Sequence, residues 1–222
     1  MQIQWLGHAC FKISEDGYSL LIDPYNSKYV PGYPALNVEA DELLVSHEHY
    51  GHNYREGVRL SGKSKSESPF EIETLEVSHD GIGGIMRGTC KIHIIKSPSA
   101  KVAHMSDLGT QLNGGEVSKL MCLDAIMSTA GSLTALPSEE IHRMYEELIP
   151  TVLILMHYRD AQRGARRLES VKDLENRFDD PSFFNYYDTD TIEIDGTNTP
   201  QIAVLKYMGE TNVKTQFPKF TR

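Results

Sequence analysis

Ser46-His47-Glu48-His49-Tyr50-Gly51-His52-Asn53 places three imidazoles within six residues, directly behind the short apolar run 42–45. A neutral imidazole binds zinc, iron or copper through one ring nitrogen, which makes histidine a common metal ligand. On an extended segment His47 and His49, two apart, project to the same side. His52 lies three residues further on and needs a turn to come round. Gly51 supplies it, because glycine accepts backbone angles that other residues avoid. A lone histidine is more often structural than a ligand. Three at this spacing behind a buried strand point instead to a metal site.

Three ligands from one loop do not complete a catalytic centre, so the chain should supply later donors at other strand ends. It does so three times. The segment 70–78 alternates apolar and polar residues (Ile72, Leu75, Val77), as a strand does, and His79 follows it. Asp107 follows the strand-like run 101–105. His157 follows the aliphatic run 151–156. Donors that recur at strand ends share one edge of a sheet layer, where loops converge into a site. A carboxylate has two oxygens, so Asp107 can bridge two ions about 3.5 to 4 Å apart.

Around these donors the chain reads as short strands with few helices, a mixed α/β (α+β) class. Further strands are expected at 2–6, 10–13, 19–22, 89–95, 193–194 and 202–207. Glu15-Asp16-Gly17 is a hairpin signal. Residues 25–36, which contain Pro31, Gly32 and Pro34, read as a loop. Pro137-Ser138-Glu139-Glu140 opens a helix with Ile141, Met144, Tyr145 and Leu148 on one face, and Pro150 stops it. A second helix is expected over 165–178. A single domain over 1–209 and a loosely ordered polar tail over 210–222 complete the expected organisation.

Lys plus Arg number 22 and Asp plus Glu 31, a formal charge of −9. A balance this acidic lacks the diffuse positive field that polyanions require, so nucleic acid is not an expected partner. The apolar runs are far too short to span a bilayer, and the N-terminus lacks the charged and apolar regions of a signal peptide. Cys10, Cys90 and Cys122 are odd in number and widely spaced. They read as three buried, reduced thiols of a cytoplasmic protein. His93 and His104 lie within strands and read as structural, and His142 as solvent-facing. Arg87 reads as a surface ion-pair residue. Arg163, Arg166 and Arg167 read as part of a solvated helix face.

The order His-x-His-x-x-His, a lone His, an Asp and a final His resembles the metallo-β-lactamase superfamily of hydrolases. More narrowly, WLGHACFKI, LIDP and VSHEHYGHN resemble the branch that includes L-ascorbate-6-phosphate lactonase and N-acylphosphatidylethanolamine phospholipase D. The likeness runs from Trp5 to about Tyr158. It implies a four-layer αββα sandwich with one or two divalent ions at the edge between two sheets. Zinc is the default ion, although manganese or iron suits the same donors. It also implies that His47, His49 and His79 form a first metal site and His52 and His157 a second. Asp107 would bridge the two, with Asp107 and His52 acting in catalysis. Asp23 of Leu21-Ile22-Asp23-Pro24 would hydrogen-bond a ligating imidazole, and His8 would lie close to the pocket. The implied activity is hydrolysis of a small ester, lactone or phosphodiester by metal-activated water.

The family's motif is His-x-His-x-Asp-His, and Gly51 stands where that Asp should be. A second-site donor is therefore missing, and Glu48 and Asp80 are the nearby acids that could stand in. Gly51 also supports an alternative, a metal-binding or regulatory protein of weakened activity on the same scaffold.

Overall fold

Period-two alternation builds the first sheet of the protein, a computed structural model that describes residues 1–209. Strands β1 (Gln2–Gly7), β2 (Cys10–Glu15) and β3 (Tyr18–Ile22) form an antiparallel meander. The β2–β3 turn carries Asp16 at φ 49° and Gly17 at φ 74°. Positive φ at both positions is what a two-residue hairpin demands. Ile3, Trp5, Phe11, Ile13, Leu20 and Ile22 face the main core, while Leu6, Cys10 and Leu21 face the other way. Segment 25–36, with Tyr25, Val30 and Tyr33, covers that outer face. The ribbon of β4 (Val38–Ala40) and β6 (Val58–Leu60) covers it as well. Between them in sequence, β5 (Glu42–Leu44) pairs in parallel with β3 and delivers the chain to the histidine loop.

The second sheet starts antiparallel with β7 (Glu71–Ser78), β8 (Thr89–Lys96) and β9 (Lys101–His104). It then turns parallel. Parallel neighbours need a crossover, and helices supply it. Helix α1 (Gly114–Leu120) leads to β10 (Ala125–Thr129) and α2 (Ser138–Leu148) to β11 (Val152–Met156). Helix α3 (Val171–Glu175) precedes β12 (Phe184–Tyr186), β13 (Thr191–Glu193) and β14 (Gln201–Val204). The sheet orders are β12-β14-β11-β10-β9-β8-β7 and β13-β1-β2-β3-β5. Every residue of β10 and β11 is buried, as expected of strands covered on both faces. Right-handed crossovers in one direction put the helices on one side of the larger sheet. The layers are therefore helices, sheet, sheet, and an outer layer of loop and ribbon.

Helix α2 follows the expected rules. Glu139 and Glu140 occupy its first turn, Arg143 bridges both, and Ile141, Met144 and Leu148 are buried. Ile149, at φ 46°, ends it in the left-handed region just before Pro150. The expected helix over 165–178 shrinks to α3. Upstream of α3 the backbone makes one local turn, from Leu168 N–H to the Ala165 carbonyl, and otherwise bonds to other loops. Leu168 bridges Ser132, Leu133 N–H donates to the Arg167 carbonyl, and Glu169 N–H donates to the Gly131 carbonyl. Ser170 then caps the short helix. The tail 210–222 lies outside the described residues. Among the described residues, no helix is long and apolar enough to cross a membrane.

Two of the three thiols are buried as expected, but Cys122 is exposed. Burial pushes the Cys90 thiol up to about 12 and the Cys10 thiol well above its ordinary value. Ellman titration of the native protein should therefore modify one thiol quickly, and all three only after denaturation.

Candidate metal centre

The donors sit where strands stop. His8 follows β1, Asp23 follows β3, the loop carrying His47, His49 and His52 follows β5, and His79 follows β7. Asp107 and His157 follow β9 and β11. Four residues at these strand ends hold left-handed backbone without being glycine: His8 (φ 53°), Asp23 (φ 50°), Ser106 (φ 55°) and His157 (φ 50°). Gly109 lets two of the loops touch. A Cβ there would stand 2.3 Å from the His79 carbonyl carbon and from the Asp80 nitrogen. Only a residue without a side chain brings the His79 and Asp107 turns this close.

His47, His49 and His79 form one group, with ring centroids 4.6 to 4.9 Å apart. One ligand-capable atom of each lies within 4.8 Å of those of the other two. His49 Nδ1 stands 3.1 Å from His79 Nε2. A second group joins His52 and His157 to His8 on the same 4.8 Å criterion. Asp107 spans the two groups. Its Oδ2 lies 3.3 Å from His79 Nε2 and 3.4 Å from His52 Nε2, and its Oδ1 lies 3.1 Å from His157 Nδ1.

These atoms suit a cation. His8 Nδ1, His47 Nε2 and His79 Nδ1 are buried without a hydrogen-bond partner, and His157 Nδ1 and Asp107 Oδ1, though 3.1 Å apart, make no hydrogen bond either. Such atoms are rare in native proteins and call for an explanation, of which an ion is one. The charge balance agrees. Burial would push the His52 imidazole down, but the Asp107 and Asp23 carboxylates overcome it and raise it to about 10. A proton on His52 thus neutralises the carboxylates where a metal ion would otherwise do so. Burial would raise Asp107, yet His157 and His52 hold it well below the ordinary carboxylate value. Burial pushes His47 down to about 3 and His157 to about 4, so both rings are neutral and free to coordinate.

Asp23 is fully buried, and one of its carboxylate oxygens lies within 4.8 Å of a ring nitrogen of both His47 and His52. Its Oδ1 accepts the Ser46 N–H at 2.7 Å, and its Oδ2 accepts the Ser46 hydroxyl at 2.6 Å. Oδ2 also lies 2.8 Å from His52 Nδ1. With the proton on Nδ1, His52 Nε2 is left facing Asp107. Asp23→Asn keeps the shape but removes this charged acceptor. Metal affinity on the His52 side is expected to fall roughly 10- to 100-fold, read by calorimetric titration of the stripped protein.

Several sequence expectations are corrected here. Glu48 is exposed and tied to Arg55 at 2.6 Å and Asn53 at 3.0 Å, so it does not replace the missing acid. Asp80 does not either. Its carboxylate accepts backbone N–H groups from Ile82, Gly84, Met86 and Arg87 and so shapes the loop that follows. Arg87 and Arg167 both line the cavity over the centre, a space of about 410 Å³. Arg163 instead pairs with Asp160 at 2.7 Å. His142 is half-buried against Phe178. His104 has a structural role, with Nε2 bonded to the Ala9 carbonyl at 2.9 Å and Nδ1 accepting the Ser106 N–H at 3.3 Å. The sequence reading missed the pocket roles of Arg167 and of the Tyr29–Tyr50 pair, stacked at 4.1 Å. No local pattern marks either, because both come from loops distant in sequence.

Comparison with known proteins gives a concordant picture. The family model described as the beta-lactamase superfamily domain matches residues 2–157. A UPF0173 metal-dependent hydrolase of Pyrobaculum neutrophilum is 27% identical over 191 residues, covering 71% of this chain and 84% of its own. A Thermotoga maritima crystal structure placed in the metallo-beta-lactamase superfamily superposes with a TM-score of 0.68. That superposition has 23% identity and covers 92% of this chain and 97% of the other. The metallo-beta-lactamase fold protein YhfI of Bacillus subtilis gives 0.57 at 14% identity, covering 92% and 95%.

Proposed function

The chain belongs to the beta-lactamase superfamily, and from that premise we propose that it is a metal-dependent hydrolase of small ester, lactone or phosphodiester substrates, with zinc as its resident ion. One observation carries the reading. Imidazoles from separate strand ends converge so that one ligand atom of each lies within 4.8 Å of the others, in a site where several buried ring and carboxylate atoms make no hydrogen bond. When bound, a divalent ion supplies Lewis acidity and lowers the pKa of its water from 15.7 towards about 7.

The residues have separable tasks. His47, His49 and His79 hold one ion, and His52 and His157 serve the other. Asp107, kept ionised, ties the two halves together and orients the attacking water by accepting a hydrogen bond from it. Asp23 keeps the proton on His52 Nδ1. Arg87 and Arg167 face the same cavity and favour a substrate that carries, or develops, negative charge. The stacked Tyr29 and Tyr50 add a flat wall for an apolar substituent.

The test is elemental analysis of purified protein together with turnover of generic ester, lactone and phosphodiester substrates before and after chelation. Activity should vanish on chelation, return with zinc, and be absent from His47→Ala. Activity that survives both treatments overturns the reading. Metal binding without turnover of any of these substrates would favour the weakened-protein alternative that Gly51 supports.

A further inference from the structure

We propose that His8 takes the place of the missing side chain at position 51 and completes a second divalent-metal site with His52 and His157. The inference rests on reading this cluster as a metal centre.

Position 51 carries no donor, and the nearby acids are engaged elsewhere, Glu48 with Arg55 and Asp80 with its own loop. His8 fills the gap. It is 4% exposed, its ring centroid lies 4.0 Å from that of His157 and 5.6 Å from that of His52, and its Nδ1 has no partner. One ligand-capable atom from each of His8, His52 and His157 lies within 4.8 Å of the others. The decisive contact is with Gly51 itself. A Cβ built on Gly51 would stand 2.8 Å from His8 Nε2, so the ring occupies the volume that a side chain at 51 would need. The two arrangements compete for one space, and a side chain at 51 would require the His8 ring to move. Gly51 is then a requirement of the histidine-rich site and not merely a loss.

The backbone is built to hold this position. The His8 carbonyl accepts the His157 N–H at 2.9 Å and the Trp5 indole N–H at 2.9 Å. His8 is thereby fastened to a neighbouring ligand strand despite its left-handed φ of 53°. Exchanging an anionic Asp for a neutral imidazole makes the second site less negative and richer in nitrogen. That donor set suits zinc, cobalt or iron(II) better than magnesium or manganese.

The experiment is calorimetric titration of metal-stripped full-length protein with Zn²⁺, and with Co²⁺ followed by its visible spectrum. The proteins are the native chain, His8→Asn, Gly51→Asp and the double variant. Asparagine is chosen because it tolerates the left-handed backbone. The native chain should bind two ions. His8→Asn should keep one at native affinity, which also shows that the variant folds, and bind the second at least 10-fold more weakly. Gly51→Asp alone should not strengthen the second site, because His8 is in the way. The double variant should recover the second ion, with the carboxylate in the vacated space. Two ions at native affinity in His8→Asn, or one ion in the native chain unaffected by it, would overturn the assignment. A native chain that binds no ion would instead overturn the metal-centre reading itself.

Discussion

Asp107→Asn is expected to remove at least one ion per chain and to lower kcat/KM by roughly 10³-fold on any substrate the native protein turns over. Asparagine has nearly the same volume, so the effect would be chemical. Asp107 contacts imidazoles of both groups, at 3.1 to 3.4 Å from His52, His79 and His157. An amide offers a single neutral oxygen and turns N–H donors towards imidazole nitrogens that need to accept a metal. The charge that holds His52 up at about 10 would be halved as well, leaving Asp23 alone to do so. Elemental analysis alongside steady-state kinetics checks the expectation. Native metal content in Asp107→Asn would contradict it.

Trp5→Ala should cost about 4 kcal/mol, the range for emptying a buried aromatic site. Trp5 is 1% exposed, stacks on Tyr158 at 5.4 Å, meets Tyr207 edge-on at 6.1 Å and donates its indole N–H to the His8 carbonyl. For a chain of this size the melting temperature would fall by roughly 8 to 16 °C, read by thermal unfolding of the metal-free protein. The metal-free form is the right reference, because a bound ion would mask part of the loss. A shift of only a degree or two would show that the core closes over the gap.

Much of this architecture is legible in the sequence because it rests on local signals. Alternation marks β7, the hairpin signal at 15–17 and the apolar run behind it mark β2 and β3, the acidic first turn and Pro150 mark α2, and the histidine spacing marks the loop after β5. What escaped reading lacks such signals. Strands β4 and β6 have three residues each, too few to show a period. Helix α1 begins with Gly114-Gly115, poor helix formers, and is secured by the reciprocal cap between Asn113 and Glu116. Residues 165–170 have helical composition, but loops 131–133 and 159 claim their backbone groups. The six donors after the strands were readable as ligand types. The resemblance pointed to a bond from Asp23 to a ligating imidazole, but its second grip, on Ser46, was not readable, because a turn-forming Asp-Pro looks the same in sequence. His8 was harder still, since its meeting with Gly51 joins the end of β1 to a loop more than forty residues away.

The four left-handed residues His8, Asp23, Ser106 and His157 tie the longevity of the protein to its supply of metal. Each disfavoured backbone costs on the order of 1 kcal/mol, and these are four of the seven non-glycine residues with left-handed backbone among the described residues. An ion that binds only the folded chain offsets that cost by an amount that grows with the logarithm of its free concentration. Starved of metal, the protein would keep its architecture but lose heat tolerance, beginning at the strand ends that carry its chemistry.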